Sequence, residues 1–226
     1  MSRNAVTSGG TKQSDGSNTV RVRARLHRAL RDLIVTGKLE AGEKLNELRL
    51  SRQLKTSRTP LREALLHLER EGLVRSDMRR GFTVELLSSR DVREIYPVLA
   101  QLEILAVRGS ARFVPPLLPR LAKINDAFAR ARTPLRALDL DTLWHDTLMS
   151  ESKNARLAAI VSNLRLAIRR YEHMYMTQPG LTSVSVSQHK AIMAAFQRGD
   201  VKAALEALEE NYRFGMEALL RKMGEE

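Results

Sequence analysis

The sequence contains no cysteine, and that absence excludes disulfides, thiolate metal centres and cysteine nucleophiles together. It also lacks any run close to the roughly 18 apolar residues of a membrane-spanning helix. The N-terminal residues 1–18 are polar and have no apolar core of the kind found in signal peptides. We therefore expect a protein of the reducing cytoplasm that has no membrane partner.

Acidic side chains are too few to balance the basic ones. The chain has 38 Lys and Arg against 26 Asp and Glu, a formal net charge of +12. Residues 1–85 hold 18 basic and 10 acidic residues, so +8 of that charge lies in the first part of the chain. A basic segment attracts polyanions and is the usual mark of nucleic-acid binding, although a solvated basic face has the same composition.

The chain divides into three parts by pattern. Residues 1–19 are rich in Ser, Thr, Gly and Asn with few large apolar groups, so we expect a disordered tail. The remaining residues are enough to bury real cores, because 43% of the 226 residues are hydrophobic. Changes in periodicity predict a small mixed domain over 20–88 and a larger helical domain over 89–226.

Three helices are predicted in the small domain. Apolar residues at helical spacing begin at Val20, and the first helix is expected to end near Gly37. Asn46 is a suitable N-cap for a short second helix, and Ser57 is a suitable N-cap for a third. The third helix has a regular apolar stripe, which is formed by Leu61, Ala64, Leu65 and Leu68.

A strand pattern follows these helices. In "RGFTVEL" the apolar residues Phe82, Val84 and Leu86 alternate with Thr83 and Glu85, as in a half-buried strand. Three helices followed by a β-hairpin predict a winged helix-turn-helix, in which the third helix enters the DNA major groove.

The start of the third helix carries the candidate DNA contacts. Arg58 and Arg62 lie one turn apart, away from the apolar stripe, and arginine can bond guanine O6 and N7 bidentately. Ser57 and Thr59 offer hydroxyls for phosphates or base edges. A charged, solvated helix face is the alternative interpretation.

The tip of the wing supplies further candidates. Arg79 and Arg80 are cationic, and Gly81 beside them allows the backbone to approach a duplex closely. We therefore predict that these three residues contact double-stranded DNA.

The segment "LEAGEKLNELRLSRQLKTSRTPLREALLHLEREGLV", followed by "RRGFTVE", resembles the N-terminal domain of GntR-superfamily bacterial transcription regulators. The resemblance implies that Ser57, Arg58, Thr59 and Arg62 contact the operator and that Arg80 and Gly81 lie on the wing. One position departs from the family pattern: an arginine used by some members early in the second helix falls at Leu48. Its neighbour Arg49 is a candidate replacement.

Residues 90–222 are helical in pattern and predict an all-helical bundle of about six helices. With "DTLWH", "SKNARL" and "QHKAIMAAFQRGDVKAAL", this part resembles the effector-binding domain of the FadR subgroup, which is called FCD. The resemblance implies a small-molecule effector, expected to be an organic acid, and a metal site.

The metal ligands implied by this resemblance suit the residues present. Asp141 and His145 lie one helical turn apart, and His189 lies on a later helix with its own inward stripe. The family's fourth ligand, a histidine, falls at Asn211, whose amide oxygen is a weaker ligand. We predict a divalent ion here, with zinc, nickel and manganese as candidates. A buried polar network among these four residues is the alternative.

A carboxylate effector needs a cation. The arginine that this subgroup uses on the first helix of the domain falls at Leu99, so Arg165 and Arg169, one turn apart, are the predicted effector-binding pair. An arginine pair on the bundle surface is the alternative.

The sequence as a whole predicts a mainly α-helical, homodimeric bacterial transcription regulator that binds operator DNA and is nucleoid-associated when bound. Its operator affinity is expected to respond to the effector. Two other functions are compatible with the residues: a metal-dependent enzyme fused to a DNA-binding domain, and a constitutive DNA-binding protein without an effector. No catalytic residue is predicted, because no nucleophile motif or phosphate loop is present.

Overall fold

The computed structural model describes residues 14–77 and 81–225 of the chain. Two compact units meet in sequence between Glu85 and Leu86. No helix within the described residues is both long and apolar enough to cross a membrane.

The first unit contains three helices and a small sheet. The helices are α1 (Ser14–Val35), α2 (Glu47–Gln53) and α3 (Arg58–Arg70), and the strands are β1 (Lys44–Leu45), β2 (Val74–Asp77) and β3 (Gly81–Val84). Both strand pairs are antiparallel in the order β1-β3-β2, with Lys44 opposite Thr83 and Val74 opposite Val84. This is a winged helix-turn-helix, with β2 and β3 forming the wing.

The apolar stripe of α3 packs into the core of this unit. Its four predicted residues, Leu61, Ala64, Leu65 and Leu68, are buried. They belong to one cluster with Leu26, Leu30 and Ile34 of α1 and Phe82 of β3. Because these contacts fix the rotation of α3 about its axis, the opposite face of the helix must point to solvent.

Three details of the first unit and of the residue that follows it differ from the sequence-based expectation. The helix α1 begins at Ser14, inside the segment 1–19 expected to be disordered, because extending an existing helix fixes only one residue per added hydrogen bond. Leu86 is 59% exposed, because β3 ends at Val84 and the alternation stops there. The two-residue strand β1 is too short to give a pattern in sequence.

The second unit is a helical bundle. It contains six α-helices within the described residues: α4 (Ser89–Ser110), α5 (Leu118–Ala129), α6 (Pro134–Leu148), α7 (Ala155–Met176), α8 (Leu181–Gln197) and α9 (Val201–Lys222). Helix α4 packs on α7 and α9, while α8 packs on α5 and α9, so the helices surround a common interior.

Side-chain caps define where several bundle helices begin. Ser88, Thr133, Asn154 and Asp200 each accept a backbone N–H of the first turn of α4, α6, α7 and α9, respectively.

Candidate functional sites

The first turn of α3 presents the predicted DNA contacts to solvent. Ser57, Arg58, Thr59 and Arg62 are all exposed. Arg58, Thr59 and Arg62 line an open groove of about 510 Å³ between α2 and α3. Ser57 occupies the N-cap position but makes no side-chain capping hydrogen bond, so its hydroxyl is free for another partner.

A tight turn between α2 and α3 sets the position of α3 relative to α2. Lys55 has a φ of 51°, a left-handed conformation that is unusual for a residue with a side chain. The turn is closed by the hydrogen bond from Thr56 N to Ser51 O at 2.9 Å. It joins α2 to α3 with few intervening residues, as the helix-turn-helix requires.

Arg62 is held by contacts that its sequence position did not indicate. Its Nη1 lies 3.5 Å from Glu47 Oε1, and its guanidinium carbon lies 5.8 Å from the centre of the Phe82 ring. Both contacts orient the side chain along the groove while leaving it 62% exposed. Arg58 has no ion-pair partner among the described residues. The two arginines therefore differ: Arg62 must exchange Glu47 for any anionic or polar partner, whereas Arg58 need not.

The other predicted contacts differ in availability. Arg49 is engaged by an ion pair from its Nη2 to Glu43 Oε1 at 2.6 Å. Gly81, at the start of β3, has a φ of 80°, so the hairpin itself requires glycine there. Arg79 and Arg80 lie outside the described residues.

In the second unit, the three predicted metal ligands converge. Asp141 and His145 come from α6 and His189 from α8. His145 Nε2 lies 4.0 Å from Asp141 Oδ2, and His189 Nε2 lies 3.6 Å from Asp141 Oδ1. One ligand atom from each residue lies within 4.8 Å of the others. Both histidines therefore direct Nε2 toward the same carboxylate.

The Nδ1 atoms of the two histidines are held from the opposite side. His145 Nδ1 donates to Glu103 Oε2 at 2.7 Å, and His189 Nδ1 donates to Asn125 Oδ1 at 3.0 Å. Asn125 is itself fixed by donating to the Val186 carbonyl at 3.0 Å. Acceptors on Nδ1 set the tautomer and leave the Nε2 lone pair for a cation.

These residues fit a metal ion better than a self-sufficient polar network. His189 Nε2 is buried and has no hydrogen-bond partner among the described residues. Its ring stacks on Trp144 at 3.7 Å with an interplanar angle of 2°, which fixes its direction. A buried, unpaired nitrogen is costly unless something binds it, and two imidazoles with one carboxylate are a common zinc-type ligand set.

The charge states of the three ligands are unequal. Burial, together with the nearby charges of His145 and Arg165, lowers the pKa of His189 well below its usual range. Burial also lowers the pKa of His145, but the Glu103 carboxylate more than offsets this and raises it overall. Burial raises the pKa of Asp141. His189 is therefore neutral at neutral pH. His145 is protonated more readily than a free imidazole, because its pKa is raised.

Glu103 anchors a polar network that sequence reasoning missed. This fully buried side chain accepts from both His145 and Arg165, and Arg165 Nη2 also donates to the Tyr212 hydroxyl at 3.1 Å. Burial alone would raise the pKa of Glu103, but the charges of His145 and Arg165 and the His145 hydrogen bond lower it to about 2. Glu103 therefore remains a carboxylate and neutralises Arg165.

This network includes one member of the predicted effector-binding pair. Arg165 is buried and engaged by Glu103, and Arg169 is ion-paired to Asp139. Neither guanidinium lines the cavity beside the metal ligands. Both arginines therefore have carboxylate partners that are distant in sequence, and an effector carboxylate would have to compete with Glu103 for Arg165 and with Asp139 for Arg169.

A small cavity of about 40 Å³ adjoins Asp141 and His145. Asn211 lines it, and its Nδ2 donates to Gln188 Oε1 at 2.8 Å, so the carbonyl oxygen is the atom that remains for a cation. Glu172 of α7 is also on the wall, and burial raises its pKa to about 7. Among the described residues, the wall therefore includes carboxylates but no arginine or lysine.

Two family models match the chain. The model described as "Bacterial regulatory proteins, gntR family" matches residues 23–84, and the FCD domain model matches residues 94–214. The FCD match alone covers more than half of the chain.

Curated relatives and solved structures are consistent with these matches. The uncharacterised HTH-type transcriptional regulator YdhC of Bacillus subtilis is 26% identical over 80% of this chain and 83% of its own length. A regulator in the TAR-I ttuE-ttuC' intergenic region of Agrobacterium vitis is 34% identical over 59% of this chain and 82% of its own length. The structure of McbR/YncC from E. coli superposes with a TM-score of 0.73 at 20% identity, covering 89% of this chain and 98% of that one. The last match concerns the fold alone.

Proposed function

The chain belongs to the GntR family of bacterial transcription regulators and carries an FCD domain, and from this premise we propose that its helical unit senses a small molecule and thereby changes operator affinity. The protein is a DNA-binding transcription regulator. Because the regulators it resembles are not enzymes, a metal-dependent enzyme is not its function.

The proposed DNA interface is the exposed start of α3. The observation that carries it is the open groove lined by Arg58, Thr59 and Arg62, on the face of α3 opposite its buried stripe. Positive side chains one turn apart on an exposed recognition helix are suited to guanine edges, and the N-terminal amides of the helix favour a phosphate. Arg49 competes with its own Glu43, so we assign it a secondary role.

A homodimer is the proposed DNA-binding form. One winged helix makes few base contacts. Two copies related by a dyad bind the two halves of a palindrome, which about doubles the free energy of sequence-specific binding. The exposed face of α4 supports an interface there, because Val98 and Leu105, two turns apart, are 49% and 54% exposed. Apolar side chains in such a row are stabilised when a second copy covers them.

Sedimentation velocity, which reports the oligomeric state, tests this prediction. The wild-type chain is expected to be a dimer at micromolar concentration, and the double variant Val98→Asp with Leu105→Asp is expected to be a monomer because it would bury two carboxylates. Ile160→Asp on α7 is the matched control, since Ile160 is 49% exposed but lies on another helix. A monomeric wild type, or equal dissociation by the control, would rule out the α4 interface.

We propose that Asp141, His145 and His189 hold one divalent ion, with Asn211 Oδ1 as a fourth ligand. Zinc, nickel and manganese are the candidates. The unpaired Nε2 of His189 and the fixed Nδ1 atoms support this assignment. A bound ion would supply positive charge and open coordination positions in the cavity. The surrounding residues orient the ligands and exclude bulk water.

A small carboxylate is the proposed effector class. Among the described residues, the cavity wall includes Asp141 and Glu172 but no arginine, so a carboxylate would be attracted there through a bound cation. About 40 Å³ admits roughly three water-sized groups, which is room for a carboxylate head. A larger effector would have to separate the helices that line the cavity. Binding of such an effector would therefore change how the helices of the bundle pack.

The effector proposal is tested with a panel of small carboxylates and the intact protein. A true effector at about 100 times its Kd should stabilise the ion-loaded protein by about 2.7 kcal/mol, or about 5–10 °C in melting temperature, and change operator affinity. The same compounds should have no effect after chelation, which is the matched control. If no compound changes either property in the ion-loaded protein, the chain is a constitutive DNA-binding protein.

A further inference from the structure

A second group of potential metal ligands lies in the DNA-binding unit. His27 comes from α1, His67 from the last turn of α3, and Glu71 follows directly after α3. Glu71 Oε1 lies 2.9 Å from His27 Nε2 and 3.5 Å from His67 Nδ1, and one ligand atom of each residue lies within 4.8 Å of the others. Two imidazole nitrogens thus converge on a single carboxylate oxygen.

These contacts do not satisfy the groups that make them. His27 Nε2 and Glu71 Oε2 are buried, and neither has a hydrogen-bond partner among the described residues. Glu71 Oε1 is close to His27 Nε2 but lies outside hydrogen-bonding geometry with it. An ion placed between them would bind the lone pair of the nitrogen and the carboxylate oxygen together, and so satisfy both groups.

The separations match those between ligands of a small divalent ion. With bonds of about 2.1 Å, adjacent ligands are about 3.0 Å apart in octahedral and about 3.4 Å apart in tetrahedral coordination. The observed 2.9 Å is close to the octahedral value and the observed 3.5 Å to the tetrahedral value, so a small shift of the exposed His67 side chain would bring both contacts into one geometry. The His27 and His67 rings meet edge to face, with centroids 4.9 Å apart, so both can direct a nitrogen to one point.

The surroundings admit an ion from solvent. His67 is 61% exposed and lines an open groove of about 540 Å³ between α1 and α3. Arg23 in this groove is neutralised by Glu63 at 2.6 Å, whereas Arg70 opposes a cation. An ion that forms strong bonds to imidazole is therefore favoured over calcium or magnesium, which depend on carboxylate charge.

We propose that His27, His67 and Glu71 form a zinc-type metal site that joins α1 to the C-terminal end of α3. The ion links the two helices whose packing orients the DNA-contacting residues. Because the ligands come together only in the folded unit, binding stabilises that unit and couples metal supply to its DNA-binding form. This site is separate from the Asp141, His145 and His189 cluster and does not depend on it.

Cobalt(II) titration of the full chain tests the proposal, with stoichiometry from equilibrium dialysis and coordination from the visible absorption bands. His67→Gln removes an exposed ligand and is expected to fold. Loss of an outer partner weakens metal sites about 10- to 100-fold, so loss of a direct ligand should weaken this site about 100-fold or more and remove one ion per chain. His27→Gln should do the same.

His173→Gln is the matched control, because His173 lies on α7 outside both clusters. It should leave stoichiometry and affinity unchanged. The proposal is overturned if His67→Gln binds as many ions as the wild type with equal affinity. It is also overturned if His67→Gln and His27→Gln change only the pH dependence of melting, since His27 and Glu71 would then form a simple ion pair.

Discussion

Replacing Arg58 with alanine is expected to weaken binding to a palindromic operator by about 30-fold to about 2 × 10⁴-fold. The estimate follows from a loss of roughly 1–3 kcal/mol for each half-site when an arginine that bonds a guanine is removed, counted twice for a dimer. Arg58 is exposed at the first position of α3 and has no ion-pair partner among the described residues, so nothing in the free protein offsets this loss.

Arg62→Ala is expected to have a smaller effect. Arg62 gives up its contact with Glu47 Oε1 at 3.5 Å when it binds a base, and that cost is absent in the variant. Glu47→Gln should therefore tighten DNA binding in the wild-type background and have little effect in the Arg62→Ala background. Fluorescence anisotropy on specific and unrelated duplexes at several salt concentrations measures these effects.

The salt dependence separates a base contact from a phosphate contact. A variant that loses a base contact keeps the slope of log affinity against log salt but loses discrimination at one base position, whereas loss of a phosphate contact reduces the slope by about one per half-site. Arg70→Ala, on the same helix but outside the groove, is the matched control. Equal losses for Arg58→Ala and Arg70→Ala on specific DNA would refute the recognition-helix assignment.

Removal of one ligand from the α6–α8 cluster is expected to produce the second large effect. His189→Ala should weaken binding of zinc or nickel about 100-fold or more, because even changes to outer partners cost about 10- to 100-fold. Its Nε2 is buried and has no hydrogen-bond partner among the described residues, so in His189→Ala only Asp141, His145 and the weaker ligand Asn211 remain to bind the ion. The effector response should be lost with the metal, while DNA binding remains, because the two units have separate cores.

Asn211→His tests the same site by a gain of function. Asn211 is partly buried and lines the cavity, and an imidazole is a stronger zinc ligand than an amide oxygen. We expect metal affinity to rise by about tenfold. This is the size of effect that changing a residue around a metal ion usually has on metal affinity. Isothermal titration with zinc, nickel and manganese gives the affinities.

His173→Ala serves as the control for both variants. It removes a histidine from the same unit that belongs to neither metal cluster, so ions bound elsewhere on the chain are common to every protein compared. Wild-type affinity in His189→Ala together with an unchanged Asn211→His variant would leave a buried polar network as the role of these residues.

The sequence by itself determined the features that depend on local spacing. The i, i+4 separation of Arg58 and Arg62 and the stripe from Leu61 to Leu68 fixed which face of α3 is buried and which is exposed. The same rule placed Asp141 and His145 on one face of α6, because a helix turn fixes the angle between residues four apart. The role of Asn46 as the N-cap of α2 could also be predicted from its residue type and position.

Only the tertiary structure decided which residues from different helices meet. Glu103 binds His145 across 42 positions, and Asn125 binds His189 across 64. Such pairs depend on how each helix is rotated and displaced by core packing, and no periodicity in one segment reports the rotation of another. For the same reason, neither the pairing of Arg165 with Glu103 nor the convergence of His27 on Glu71 could be predicted from the sequence.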